Sequence, residues 1–93
     1  MRKIKKFASG SGNEPFSDWL YCLDLRAQAK IRAYIDRVAI GGSQKNIEPV
    51  GEGVFEIKIN FGPGYRVYFG LIRRDTMLLL SGGNKTTQSK DIL

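Results

Sequence analysis

Near residue 52 the spacing of apolar residues changes from a period of 3.6 to a period of 2, and this switch divides the chain into a helical half and a sheet half. Upstream, Phe16, Trp19, Leu20 and Leu23 fall at i, i+3, i+4 and i+7, one apolar stripe of a short helix. Asn13 stands where a cap belongs, Pro15 suits the first turn, and Asp18 suits the positive end of the helix dipole. A second, longer helix is predicted over 25–40, with Asp24 as its cap and Gly41-Gly42 as its stop. Ala27, Ile31, Tyr34, Ile35 and Val38 share one face of it; Arg26, Lys30 and Arg37 lie largely off that face. So tight a link between the two predicts an antiparallel helical hairpin.

Residues 43–52 read as a polar link, after which Phe55, Ile57, Ile59 and Phe61 alternate with Glu56, Lys58 and Asn60. Gly62-Pro63-Gly64 turns the chain, Tyr65 to Phe69 runs back, Arg74-Asp75 turns it again, and a last strand covers 77–81 before Gly82-Gly83. Residues 2–9 alternate loosely before the turn signal at 10–13, giving one more short strand. The order strand, helix, helix, strand, strand, strand describes a single α+β domain over residues 1–93. Its helical hairpin covers one face of a curled, mainly antiparallel sheet.

A three-residue turn at 62–64 sets Phe61 opposite Tyr65, Ile59 opposite Val67 and Ile57 opposite Phe69 on the helix-covered face. Lys58 then opposes Tyr68, and Asn60 opposes Arg66, on the uncovered face. A slip by one residue would bury the lysine and the arginine, so this assignment of faces is firmly specified. With Arg74-Asp75 as a two-residue turn, Leu78 and Leu80 enter the core while Met77, Leu79 and Ser81 share the open face. Cations for phosphates and a ring for a base suit an RNA strand. Polar residues on the outer face of an antiparallel sheet are also simply what such a sheet carries.

Fifteen Lys+Arg against nine Asp+Glu give a net charge of +6, which makes a polyanion the first partner to consider. The chain has no histidine and one cysteine, which excludes an imidazole base, a catalytic triad, a disulfide framework and a cysteine-built zinc site. No window reaches the roughly 18 apolar residues of a membrane span, and no hydrophobic run follows the basic N-terminus. The expectation is a cytoplasmic protein without membrane partners, metal or cofactor. Three features stay open on spacing alone. Gly82-Gly83-Asn84-Lys85 suits either a strand exit or a phosphate cradle. The basic start at Arg2, Lys3, Lys5 and Lys6 suits an edge that resists pairing, and Cys22 suits a small packing residue.

Several segments together resemble the RelE/ParE superfamily of type II toxin–antitoxin toxins, in the HigB-like branch called addiction module killer proteins. They are Pro15-Phe16-Ser17-Asp18-Trp19-Leu20, the run 30–37, Pro49-Val50-Gly51-Glu52-Gly53-Val54-Phe55-Glu56-Ile57, Gly62-Pro63-Gly64-Tyr65-Arg66-Val67-Tyr68-Phe69, and Leu80-Ser81-Gly82-Gly83-Asn84-Lys85-Thr86-Thr87-Gln88. The resemblance spans nearly the whole chain in order, and its β-α-α-β-β-β fold agrees with the pattern above. It departs in two places: some relatives use a histidine, and the family continues into a C-terminal helix where this sequence ends at Leu93.

The resemblance implies a toxin neutralised by a cognate antitoxin. RelE-like members cleave messenger RNA on the ribosome, and ParE-like members poison DNA gyrase without catalysis. The first is expected, as a ribosome-dependent endoribonuclease, with gyrase inhibition as the alternative. Arg66 matches the arginine of the Gly-Tyr-Arg strand and Lys58 a second basic position; Lys85 matches a third more loosely, and Tyr68 completes the catalytic candidates. Asn60, Arg73, Arg74 and Lys90 are assigned to RNA binding. The expected partners are the ribosome, mRNA and an antitoxin with an acidic segment. Met77 and Leu79, exposed on the open face, are expected to receive that segment.

Overall fold

The computed structural model describes residues 1–42 and 44–84. The chain forms β1 (Lys3–Lys6), α1 (Pro15–Leu20), α2 (Leu25–Ile40), β2 (Ile47–Gly51), β3 (Val54–Ile59), β4 (Tyr65–Ile72) and β5 (Thr76–Asn84). The five strands make one sheet in the order β1-β5-β4-β3-β2, with β1 parallel to β5 and every other neighbour antiparallel. Both helices pack on one face of it. The predicted α+β class and the curled, mainly antiparallel sheet match the structure, with one strand more than expected.

That extra strand is β2, inside the stretch predicted to be a polar link. It lies at the sheet's edge with Pro49 in it and skips a residue between Pro49 and Gly51. An edge position tolerates a proline because only one side of the strand must donate to a ladder. At the opposite edge, β1 exposes all four of its residues, three of them lysines, which discourages pairing with another chain.

Helix α2 ends as its sequence predicts. Asp24 Oδ1 accepts a 2.7 Å hydrogen bond from the Ala27 amide, and Gly41 closes the helix in the left-handed region at φ 89°. A cap of this kind stabilises by about 1 kcal/mol. Helix α1 begins differently: Glu14, not Asn13, holds the cap position, and it accepts from the Ser17 hydroxyl at 2.8 Å without bonding a helix amide. Phe16 and Leu20 of α1 join Ala27, Ile31, Ile35 and Val38 of α2 over Ile57, Ile59, Val67 and Phe69 of the sheet.

The β3–β4 loop holds five residues, not three. The Gly64 amide bonds the Phe61 carbonyl at 2.9 Å, and Gly62 and Gly64 both take positive φ, so the chain reverses inside the loop. The pairing therefore shifts by two: Ile57 faces Val67, Ile59 faces Tyr65, and Phe55 stacks on Phe69 with centroids 5.4 Å apart. An even shift leaves each residue on its expected face while changing its partner.

At the next turn the shift is odd, and it overturns the expected placement. Three residues, Arg73, Arg74 and Asp75, separate the paired Ile72 and Thr76. Met77 then faces Leu71 and Leu79 faces Phe69, both fully inside the core at 0% and 2% exposure. Leu78 and Leu80 lie half-buried instead. A bulge at Leu80 restores the parity, so that Ser81 faces Tyr68 as alternation from the other end requires. Met77 and Leu79 are thus no surface for an antitoxin. Arg73 and Arg74 both adopt left-handed backbone, φ 53° and 66°, at a cost on the order of 1 kcal/mol or more each.

Gly82 and Gly83 are neither a strand exit nor a loop; both belong to β5. A Cβ on Gly82 would lie 2.2 Å from the Trp19 ring, because α1 sets that indole directly against the strand. Trp19 in turn meets Phe16 and, edge-on, Tyr65 at 6.1 Å. Gly82→Ala should therefore force the indole away and lower stability by about 1–3 kcal/mol in denaturant unfolding. An unchanged midpoint would show that α1 can move aside freely.

Candidate functional site

Because β3 and β4 alternate in register, Glu56, Lys58, Arg66 and Tyr68 all face away from the helices. Lys58 pairs directly with Arg66, and Glu56 pairs directly with Tyr68. On the outer neighbours, Glu48 of β2 lines up with Glu56, Ser81 of β5 with Tyr68, and Gly83 with Arg66. Two like charges directly opposite one another repel, and diagonal carboxylates offset that here. Arg66 Nη1 lies 2.7 Å from Glu56 Oε1, and Lys58 Nζ lies 2.8 Å from Glu48 Oε1.

The two pairs differ in their exposure. The Glu56 side chain is only 3% exposed and that of Arg66 20%, whereas Lys58 and Glu48 stand at 38% and 60%. Arg66 is therefore fixed in place by a buried anion, with one nitrogen of its planar fork committed to it. Lys58 is held on a surface tether that solvent can loosen. The Tyr68 hydroxyl is buried beside this lattice. The arrangement can bind an anion through the remaining guanidinium donors and the ammonium, with a phenol ring alongside.

Asn60, expected opposite Arg66, lies beyond the end of β3 in the five-residue loop and is exposed. Arg73 and Arg74 sit in the β4–β5 turn at the far end of β4 from Arg66. Lys85 and Lys90 lie outside the described residues. The structure thus brings Lys58, Arg66 and Tyr68 together and sets Asn60, Arg73 and Arg74 apart from them. Glu56 and Glu48 were not among the sequence candidates. Glu56 alternates in step with Lys58, which places it on the same face, but its pairing depends on the register; Glu48 lies in the strand read as a link.

The Glu48 carboxyl is held below the usual carboxylate range, first by the hydrogen bond from Lys58 and then by that ammonium's charge. Partial desolvation opposes this, and Arg66 adds a smaller downward push. A depressed folded-state pKa means that the pair's contribution is present above the unfolded pKa of Glu48. It is lost as the pH falls through the folded one. An NMR titration of the Glu48 carboxyl should give a midpoint below that of a free glutamate, and Lys58→Met should return it to the ordinary range. An unmoved midpoint in the variant would mean that the tether is not formed in solution.

No described helix is long and apolar enough to cross a membrane. Residues 18–91 match the family described as phage derived protein Gp49-like (DUF891), a stretch that takes in α2 and β2 to β5 with the whole charge lattice. An uncharacterized protein of Haemophilus influenzae is 46% identical over 78 residues, which cover 83% of this chain and 78% of the relative. Together with the two-helix, five-stranded architecture, these similarities show that the chain belongs to the phage-derived Gp49-like family, a RelE/toxin-like family of addiction modules.

Proposed function

We propose that this protein is the toxin of a type II toxin–antitoxin module of the HigB-like kind, and that it inhibits translation by cleaving messenger RNA on the ribosome. The observation that carries the reading is Arg66, anchored by buried Glu56 and paired across the strands with Lys58 on the face the helices leave uncovered. In the reaction a ribose 2′-oxygen bonds to the adjacent phosphorus and the bond from phosphorus to the 5′-oxygen breaks. The 2′-hydroxyl proton leaves, and a proton reaches the departing 5′-oxygen. Charge grows on the phosphoryl oxygens. The free edge of the Arg66 fork and the Lys58 ammonium meet that charge, and the Tyr68 ring is placed to stack on a neighbouring base.

Lys58 donates to Glu48 and so acts in this scheme as a charge. The sequence has no histidine, which leaves proton transfer to groups poorly matched to neutral pH. In-line placement of the substrate by the ribosome compensates, and free RNA should be cut slowly or not at all. The antitoxin of this reading is acidic, since it must mask a chain of net charge +6.

The burial of Glu56 changes how Arg66 has to be tested. Arg66→Ala would remove a countercharge from the buried Glu56 carboxylate, a loss of the kind that costs about 3–5 kcal/mol and confuses folding with catalysis. Arg66→Lys keeps the countercharge but not the planar fork. It should leave thermal unfolding nearly unchanged while lowering message cleavage after induction about 100–1000-fold. The double variant Glu56→Gln/Arg66→Gln, which replaces the ion pair by a neutral one, should fold and be equally inactive. Full toxicity in either folded variant would exclude this face as the site. Intact messages with double-strand breaks in DNA would favour the gyrase reading over the nuclease.

A further inference from the structure

A second cluster of cations occupies the opposite end of the same face. In the parallel β1–β5 pair, Lys3 aligns with Thr76 and Lys5 with Leu78, and Leu78 aligns with Gly70 of β4. Lys3 and Lys5 therefore share the face of Arg66 and Tyr68. The β4–β5 turn closes on the start of β1: the Lys3 amide donates to the Asp75 carbonyl at 2.7 Å, and Arg2 Nε donates to the Arg74 carbonyl at 2.9 Å. A shallow cavity of about 330 Å³ results, lined by Lys3, Lys5, Ile72, Arg73, Asp75 and Thr76. Its one acid, Asp75, accepts a hydrogen bond from the Thr76 hydroxyl.

The two ends of the face differ in one physical respect. Lys58 and Arg66 each have a carboxylate within 3 Å, whereas among the described residues Arg2, Lys3, Lys5, Arg73 and Arg74 form no ion pair. The first end is preorganised and electrostatically balanced; the second carries unbalanced positive charge. Arg66 and Ile72 stand six residues apart on β4, which is about 20 Å of extended strand. Between them lie Tyr68, the bare backbone of Gly70, and Leu78, surfaces suited to bases and not to phosphates.

We infer that the corner formed by Lys3, Lys5 and Arg73 is a second phosphate-binding site, which holds the backbone of a single RNA strand several nucleotides from the phosphate at Arg66. The inference rests on the reading of the open face as an RNA site and extends it. The Arg66 end aligns one phosphate, the corner supplies most of the salt-sensitive affinity, and the strand runs across Tyr68 and Gly70 from one to the other. Its span corresponds to the lower part of the roughly 4–16 nucleotides that a single-strand-binding β-fold holds. The left-handed Arg73 and Arg74 fit this role, since the turn keeps arginines where glycine or asparagine would be relaxed.

The test uses 2′-O-methyl oligonucleotides, which resist cleavage, three and eight nucleotides long, with binding followed by fluorescence anisotropy over a range of salt concentrations. The intact protein should bind the octamer more tightly than the trimer. The variant Lys3→Gln/Lys5→Gln/Arg73→Gln, checked for folding by thermal unfolding, should lose that advantage and keep its affinity for the trimer. Each cation that meets a phosphate contributes about 0.7 to the slope of log affinity against log salt, so the octamer's slope should fall by about two. Arg66→Lys should weaken the trimer and leave the slope nearly unchanged. An undiminished octamer advantage in the triple variant would overturn the corner site alone. Failure of the intact protein to bind either length would overturn the RNA reading of the face and the corner with it. Loss of binding to poly-glutamate with octamer binding unchanged would overturn the proposal by reassigning the corner to an acidic protein partner.

Discussion

Side chains of adjacent strands alternate between two faces, and the pairing of Ile57 with Val67 fixes that alternation at the centre of this sheet. Everything else follows the parity it sets. Ile57 and Val67 are fully buried under the helices, so their neighbours Lys58 and Arg66 must point the other way. The bulge at Leu80 lets Ser81 share the face of Tyr68 although Leu79 shares that of Phe69, and Trp19 packs against Gly82 on the helix-covered side. The polar lattice is held in place by apolar pairing on the reverse of the same strands.

On that lattice, charge is arranged in diagonals. Lys58 and Arg66 would repel as a direct cross-strand pair, and Glu56 and Glu48 would do the same on the adjoining row. Linking each cation to the acid of the next row turns two unfavourable pairs into two salt bridges. Their depths differ in a way that fits the roles proposed for them. A buried pair is rigid and contributes little net stability, which suits a group that must stay aimed. A surface pair is loose and screened, which suits a group that must exchange one anion for another.

The helices were readable because their signals are local. Four apolar residues at helical spacing, Asp24 at one end of α2 and Gly41 at the other lie within the same few turns that they organise. The faces of β3 and β4 were readable for a related reason, since burying Lys58 or Arg66 was the only alternative. Turn length was not readable. Gly62-Pro63-Gly64 marks a reversal but not that Asn60 and Phe61 join it, and Arg73 gives no sign that it will adopt left-handed backbone. A miscount by one inverted Met77 and Leu79; a miscount by two left the faces right and the partners wrong. Strand β2 went unseen because Pro49 and an edge bulge erase its alternation. The burial of Glu56 arises from neighbours distant in sequence, and no local pattern announces it.

The parallel pairing of β1 with β5 joins Lys3 to Thr76, about seventy positions away in the chain. Among the described strand pairs it closes the longest loop, and it does so through only four residue pairs, so a large closure entropy is set against little pairing. During synthesis β1 is made well before β5 and has no edge to join until β5 has followed it. Four residues rich in lysine are well suited to that interval, since they remain hydrated and repel one another's copies. The cationic corner, which exists only where β1 meets the β4–β5 turn, is consequently absent from the nascent chain until β5 has been made.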